Sequence, residues 1–363
     1  MIPILLAVAI AAGSPGDLKT FRDWIVGCDN RLACHATTLD PVSTPEEVET
    51  GDEPIADNAI GLAILRGAAA LDEPRIRFLP RYAYDPEPNP DPSSIRHLAV
   101  LDTAGKVIFR LEFSPQDIVR ANSPEGLPVP ADSALWQALA AGGTIMLHRD
   151  PNTSLARISL RGLRDTMRHM DESQHRIGNV TALVERGKEA AHLVPLQVPD
   201  QPVIVPPASA LSPTKLSRAA LLRLQDKHKC GRREALPAAI YQRLDDRMTM
   251  LLLNAACSSY NGEGYVYVVD NDRNARIAAI RLNDSDPPLA APQVVSAWWD
   301  ETERRLHSFG RGRAIADCGQ QQAFAWDGEQ FFLIREAAMG ECRGSVDYIT
   351  IYRRRTIERG KRP

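Results

Sequence analysis

The sequence predicts an α+β fold, mainly β: two antiparallel β-rich domains with a few short helices, stapled by disulfides. Three observations carry this. Short runs of alternating apolar and polar residues recur along the chain, separated by reversals bearing Asp, Asn and Gly. Six cysteines are present, an even number: Cys28, Cys34, Cys230, Cys257, Cys318 and Cys342. Six prolines and almost no charge fall between residues 193 and 213, an extended linker that divides the chain. With 363 residues there is length for two cores. The expected division is a leader over 1–14, a β-rich domain with a C-terminal helix over 15–190 and a linker over 191–213. A β-meander domain with leading helices follows over 214–356, then a basic tail over 357–363.

Taken in order, Ile2 to Ala12 is an apolar run too short to cross a bilayer, and Ala9-Ile10-Ala11 fits a cleavage site of small residues. This predicts an exported chain with no transmembrane segment. Residues 21–36 read as two short strands around Asp29-Asn30, with Trp24, Val26 and Cys28 on one face. An acidic, proline-bearing loop spans 40–58. Strands follow at 59–66 and 75–79, then a proline cluster between Asp85 and Pro92 that breaks regular structure. Residues 97–113 form a hairpin turning at Asp102 to Gly105. Asp132 or Ser133 caps a helix over 134–141, ended by Gly142 or Gly143. Strands at 144–149 and 156–161 lead into a helix over 163–173, whose stripe of Leu163, Met167 and Met170 belongs to a core.

Beyond the linker, a helix with Pro213 in its first turn presents Leu216, Ala220 and Leu224 on one face. A further helix is expected over 237–246, then a buried strand over 248–253. A meander of hairpins completes the chain, reversing at Asp270, Asp300 and Asp327, too irregular in spacing for a closed propeller. Phe324 to Leu333 is the clearest hairpin, with Asp327-Gly328 at the turn, and it brings the flanking Cys318 and Cys342 together.

An even cysteine count in an exported chain implies disulfides. Many pairings are open; the simplest is local, Cys28–Cys34, Cys230–Cys257 and Cys318–Cys342. No Cys-x-x-Cys spacing exists, and His35 beside Cys34 has no partners at zinc spacing, so no metal is expected. The formal net charge of −3 gives no global attraction to nucleic acid, and the basic C-terminus reads as a solvated tail. Asp270 to Asn274 resembles half a calcium loop, but Ala275 stands where glycine is required, so a turn is expected. Gly310-Arg311-Gly312-Arg313 sets two guanidiniums beside flexible amides; with Arg343 it is a possible anion site. No nucleophile elbow, zinc-peptidase motif, phosphate loop or dinucleotide fingerprint is present. No catalytic residue and no cofactor are assigned.

Trp24, Cys28 and Cys34, Cys257 followed by Tyr260-Asn261, and Gly310 to Arg313 with Asp317-Cys318-Gly319 form a pattern. It continues in Trp326-Asp327-Gly328 and Cys342-Arg343-Gly344. The pattern resembles a bacterial family of exported six-cysteine proteins, domain of unknown function 1176, across nearly the whole mature chain. Trp24, Cys28, Val129-Pro130 and Leu160 to Leu163 are also distantly similar to invasion-associated locus B proteins. What these resemblances imply is a periplasmic or secreted envelope protein. The expected function is a non-catalytic binding or structural module engaging an envelope ligand or protein, and not nucleic acid. The alternative is a periplasmic hydrolase of envelope or cell-wall material using carboxylates on hairpin turns, for which Asp300, Glu301, Asp327 and Glu329 are the candidates.

Overall fold

In the computed structural model the described residues are 16–42, 60–80, 90–195, 201–228, 236–255, 258–283, 287–289 and 293–360. The expected leader over 1–14 and the expected Cys230–Cys257 pair lie outside them. The first half runs β1 (Leu18–Phe21), β2 (Trp24–Cys28), β3 (Cys34–Thr38), β4 (Ile60–Arg66), β5 (Arg75–Pro80), β6 (His97–Leu101), β7 (Val107–Glu112), α1 (Pro115–Ala121), β8 (Leu127–Pro128), α2 (Ala134–Ala141), β9 (Thr144–Asp150), β10 (Thr153–Ser159) and α3 (Leu163–Ser173). Two antiparallel sheets form, in the orders β1-β2-β3-β4-β5-β8 and β10-β9-β6-β7. Strand alternation sends Trp24, Val26, Ala36, Leu62, Ile76 and Phe78 into one core with Leu98, Val100, Ile145, Trp136, Met167 and Met170. Each large apolar side chain buried there contributes about 1.5–3 kcal/mol. Ser133 caps α2 by accepting from Leu135 N, and an unforeseen helix, α1, is closed by a reciprocal box between Ser114 and Asp117.

α3 buries more than its methionine stripe. Asp171 and Arg66 pair at 2.8 Å with both side chains fully buried. Burial, with Arg176 adding to it, lowers Arg66 to about 10, while Asp171 opposes the shift. Leu183 N and Val184 N donate to Asp171, so its remaining lone pairs are satisfied.

The second half runs β11 (Val203–Val205), α4 (Arg218–Lys227), β12 (Ala238–Arg243), β13 (Met248–Ala255), β14 (Glu263–Asp270), β15 (Ala275–Ile277), β16 (Ile280–Arg281), β17 (Gln293–Val295), β18 (Trp298–Asp300), β19 (Arg305–Arg311), β20 (Gly319–Trp326), β21 (Phe331–Met339), β22 (Ile349–Arg353) and β23 (Thr356–Glu358). One sheet is ordered β12-β13-β14-β15 with β17 on β14; another is β16-β21-β20-β19-β18 with β22 on β21. Their shared core holds Met250, Leu252, Val266, Val268, Leu306, Phe324 and Phe331, and Trp326 Nε1 donates to Asp245 at 2.7 Å.

Four expectations change. Residues 238–243 form a strand, not a helix, because Asp245 Oδ1 accepts from Arg247 N and Met248 N and so folds the chain back onto β13. That pairing outweighs the helical preference of Ala238-Ala239. α4 begins at Arg218, capped by Ser217, so Pro213 lies ahead of it. Within the proline-rich segment, Val203–Val205 is a strand pairing in parallel with Thr356–Glu358, and Val203 and Val205 are buried. Of the basic C-terminal residues, those up to 360 are described, and Arg354 among them lies over the Phe332 ring and donates to the Gln201 carbonyl.

Among the described strands no sheet mixes residues before 191 with residues after 213; the halves meet by packing. The segment from Cys342 to Arg353, a strap, crosses the face of the first sheet turned away from its core. Ile349 and Ile351 pack with Ile25, Leu39, Met339 and Cys318. Gly27 makes room for them, since a Cβ there would lie 3.0 Å from Ile349 Cγ2. Gly16 N donates to Ile351 O at 2.8 Å, and Arg353 N donates to Asn30 Oδ1 at 2.8 Å. Disulfides join Cys28 to Cys34 and Cys318 to Cys342, with sequence separations of 6 and 24. Loop-closure entropy assigns the longer loop about 3 kcal/mol and the shorter about 2. Urea unfolding of C318A/C342A is therefore expected to show the larger loss of the two double variants; a larger loss in C28A/C34A would reverse that order.

Candidate functional site

The stretch from Arg311 to Gly319 folds as a buried-acid turn. Arg313 donates to both oxygens of Asp317, at 2.6 and 2.5 Å, and Gly344 N donates to the same carboxylate at 2.8 Å. Burial alone would raise Asp317, but the hydrogen bonds from Arg313 and Gly344 prevail and lower it. Gly344 has φ +72°, and a Cβ on it would sit 2.0 Å from Asp40 Oδ2, so glycine is required. The Tyr348 hydroxyl donates to Ala316 O at 3.0 Å; burial and the nearby Asp317 push it up to about 12. Asp317 thus holds the start of the strap.

The other two arginines singled out in the sequence act at the same joint. Arg343 donates to Arg22 O at 2.6 Å, Asp40 O at 2.8 Å and Asp23 Oδ1 at 3.1 Å, reaching from the strap to the first sheet. Arg311 donates to Tyr260 O at 3.0 Å, lies over the Phe309 ring, and is bracketed by Asn261 through its backbone. All three guanidiniums are engaged by protein groups, Arg313 and Arg343 by carboxylates.

Downstream of this anchor the strap builds a cleft. Ile76 and Phe78 enter the core of the first half, so alternation turns Arg75 and Arg77 to the opposite face of β5. His35 stands on that face of β3. Asp347, carried by the strap, is hydrogen-bonded to His35 Nε2 at 2.8 Å and accepts from Arg77 Nη2 at 2.5 Å. Burial pushes the Asp347 carboxyl up, but His35 and Arg77 outweigh it and hold the group below the usual carboxylate range. The described hydrogen bonds place no hydroxyl or thiol on the His35 ring.

Cavities lie on either side of this triad. One, of about 170 Å³, is walled by Thr37, Gly61, Leu79, Ser345, Val346 and Asp347 among others. The other, of about 290 Å³, is walled by His35, Leu65, Arg75, Arg77, Thr350 and Arg353 among others. Arg75 donates to Gly126 O and Arg77 to Pro124 O, each at 3.2 Å, while Arg353 is ion-paired with Asp29. Buried Thr37 Oγ1 and Arg77 Nε have no hydrogen-bond partner among the described residues.

The hairpin carboxylates serve their own turns. Asp300 accepts from Glu303 N at 2.7 Å; Asp327 accepts from Glu329 N and Gln330 N at 2.7 and 2.8 Å. Glu301 and Glu329 are exposed, and none of the four lines either cavity. Asp270 likewise accepts from Asn274 N at 2.8 Å. Sequence reading missed the cleft residues. The signal available was the pair Arg75 and Arg77 on one face of a strand whose other face is apolar.

Residues 18–355 match the family model of a protein of unknown function, DUF1176. The uncharacterized protein YpfG of Escherichia coli (strain K12) is 25% identical over 349 residues, covering 93% of this chain and 92% of that protein. No solved structure matches. Neither match extends to invasion-associated locus B proteins, so that resemblance is not shown.

Because Asp347 ionises below its usual range in the folded chain, the stability it adds is full above the unfolded value, about pH 4. It is lost as pH falls through the folded value. Asp347→Asn is expected to cost about 1–3 kcal/mol at neutral pH. In paired denaturation curves, the gap to the parent protein should close in acid. A gap that stays constant to about pH 3 would show that Asp347 does not supply the acid limb.

Proposed function

We propose, from the premise that this chain belongs to the DUF1176 family, that it is an exported protein of the bacterial cell envelope. It acts there as a binding or structural module, without catalysing a reaction. The reading favours a periplasmic or secreted chain of two domains, joined near residues 191–213, whose ligand or protein partner belongs to the envelope.

One observation carries the binding role: both halves contribute walls to the larger cavity, His35, Arg75 and Arg77 from the first, Thr350 and Arg353 from the second. A surface assembled from two cores and fixed by the strap is preorganised, which reduces the ordering cost of recognition. Export is supported by the apolar leader and by two disulfides, which persist in oxidising compartments. Among the described residues no helix is long and apolar enough to cross a membrane.

The full chain expressed with its own N-terminus, followed by osmotic release and quantitative thiol labelling before and after reduction, tests the location. The expected result is release with the envelope fraction, shortened at the N-terminus, with thiols reacting only after reduction. Retention in the cytosol with reactive thiols would overturn the reading.

A further inference from the structure

We propose that the larger cavity is a binding site for a phosphate monoester, held by Arg75, Arg77 and Arg353 with His35 on the wall. This deepens the binding-module reading above and rests on it.

Nitrogen-bearing side chains converge from three strands of both halves. Arg75 and Arg77 are two residues apart on one face of β5, hence about 7 Å apart along the strand. Arg353 approaches from β22 across the cleft, and His35 stands on β3. Two carboxylates meet these groups, each committed elsewhere as well. Asp347 takes both His35 and Arg77; Asp29 pairs with Arg353 while also accepting from Arg31 N and Ala33 N. The Arg75 contact among the described residues is a carbonyl, Gly126 O, at 3.2 Å, so its charge has no anionic partner there. Arg77 keeps a buried Nε with no hydrogen-bond partner among the described residues. The Arg353 side chain is 48% exposed, lines the cavity and pairs with Asp29 through Nε, so its outer nitrogens can meet an anion without breaking that pair. Three guanidiniums against two carboxylates leave a net positive wall in a partly desolvated site, where Coulomb attraction is strengthened.

Geometry selects the class of anion. A planar carboxylate is served by one guanidinium in a two-bond fork. Donors arriving from three strands match the tetrahedral oxygens of a phosphate instead, and a doubly charged monoester gains most from several guanidiniums. A cavity of about 290 Å³ stands at the low end of small-molecule sites, so it takes a compact headgroup and not an extended polymer. The same headgroup occurs on soluble phosphate esters and on phosphatidic acid.

Calorimetric titration of the full, oxidised protein with glycerol 3-phosphate, inorganic phosphate and succinate tests this, alongside R75Q and R353Q. R276Q, distant on the second half, is the control. Saturable binding of glycerol 3-phosphate is expected, weakened about 10-fold or more in R75Q and in R353Q and unchanged in R276Q. Added salt should weaken it further. Co-sedimentation with phosphatidylcholine vesicles carrying phosphatidic acid identifies the source. Vesicle binding that is lost in R75Q indicates the lipid headgroup, and binding of the soluble ester alone indicates a free metabolite; either supports the site. Succinate binding as tightly as glycerol 3-phosphate, no saturable phosphate binding, or binding indifferent to both cleft variants would overturn it. Any of those results in a chain that is exported and oxidised defeats this inference alone. Cytosolic retention defeats the export reading and leaves the titration standing.

Discussion

Asp317 is the constraint on which the junction depends. It is fully buried, it takes a two-bond fork from Arg313, and its second oxygen also receives Gly344 N. A buried carboxylate without such partners would be strongly unfavourable, so the turn from 311 to 319 and the turn at 342–344 must form together. The Cys318–Cys342 bond ties the same two turns covalently. Once they are joined, the chain leaving Gly344 has one course, over the outer face of the first sheet. Ile349 and Ile351 are buried there against Ile25 and Leu39.

Two kinds of polar contact then fix the strap, one at its start and one midway along it. Arg343 binds backbone carbonyls of Arg22 and Asp40 and the carboxylate of Asp23; Asp347 binds His35 and Arg77. Their contributions differ in kind. Arg343 supplies hydrogen bonds to two backbone carbonyls and an ion pair to Asp23, so its charge is compensated where it binds. Asp347 brings a carboxylate to a face already holding Arg75 and Arg77, and so neutralises part of their like charge. What is left of that charge gives the wall its sign, so the interaction that seats the strap also sets the local field in the cleft.

Local patterning made much of the fold legible. The helices 134–141 and 163–173 and the hairpin over 97–113 were readable because caps, methionine spacing and an Asp-to-Gly reversal each act within a few residues. The strand over 238–243 was not, since its pairing with β13 and the turn at Asp245 outweigh an alanine-rich start. The stretches Gly310 to Asp317 and Cys342-Arg343-Gly344, read in the sequence as a family pattern with a possible anion site, meet in the structure at the start of the strap. The cleft was illegible for a different reason. Asp347 meets His35 across 312 residues and Arg77 across 270, and no periodicity encodes contacts at such separation. Arg353 was masked by its basic neighbours, whose composition reads as tail although β22 and β23 order it.

The seating of the strap is tested most directly by a double-mutant cycle joining the two halves, Arg77→Ala with Asp347→Ala, read by denaturant unfolding at neutral pH. A coupling of at least about 1 kcal/mol is expected if the two groups meet as described. Strictly additive losses would contradict the contact, and with it the placement of the strap over the first sheet.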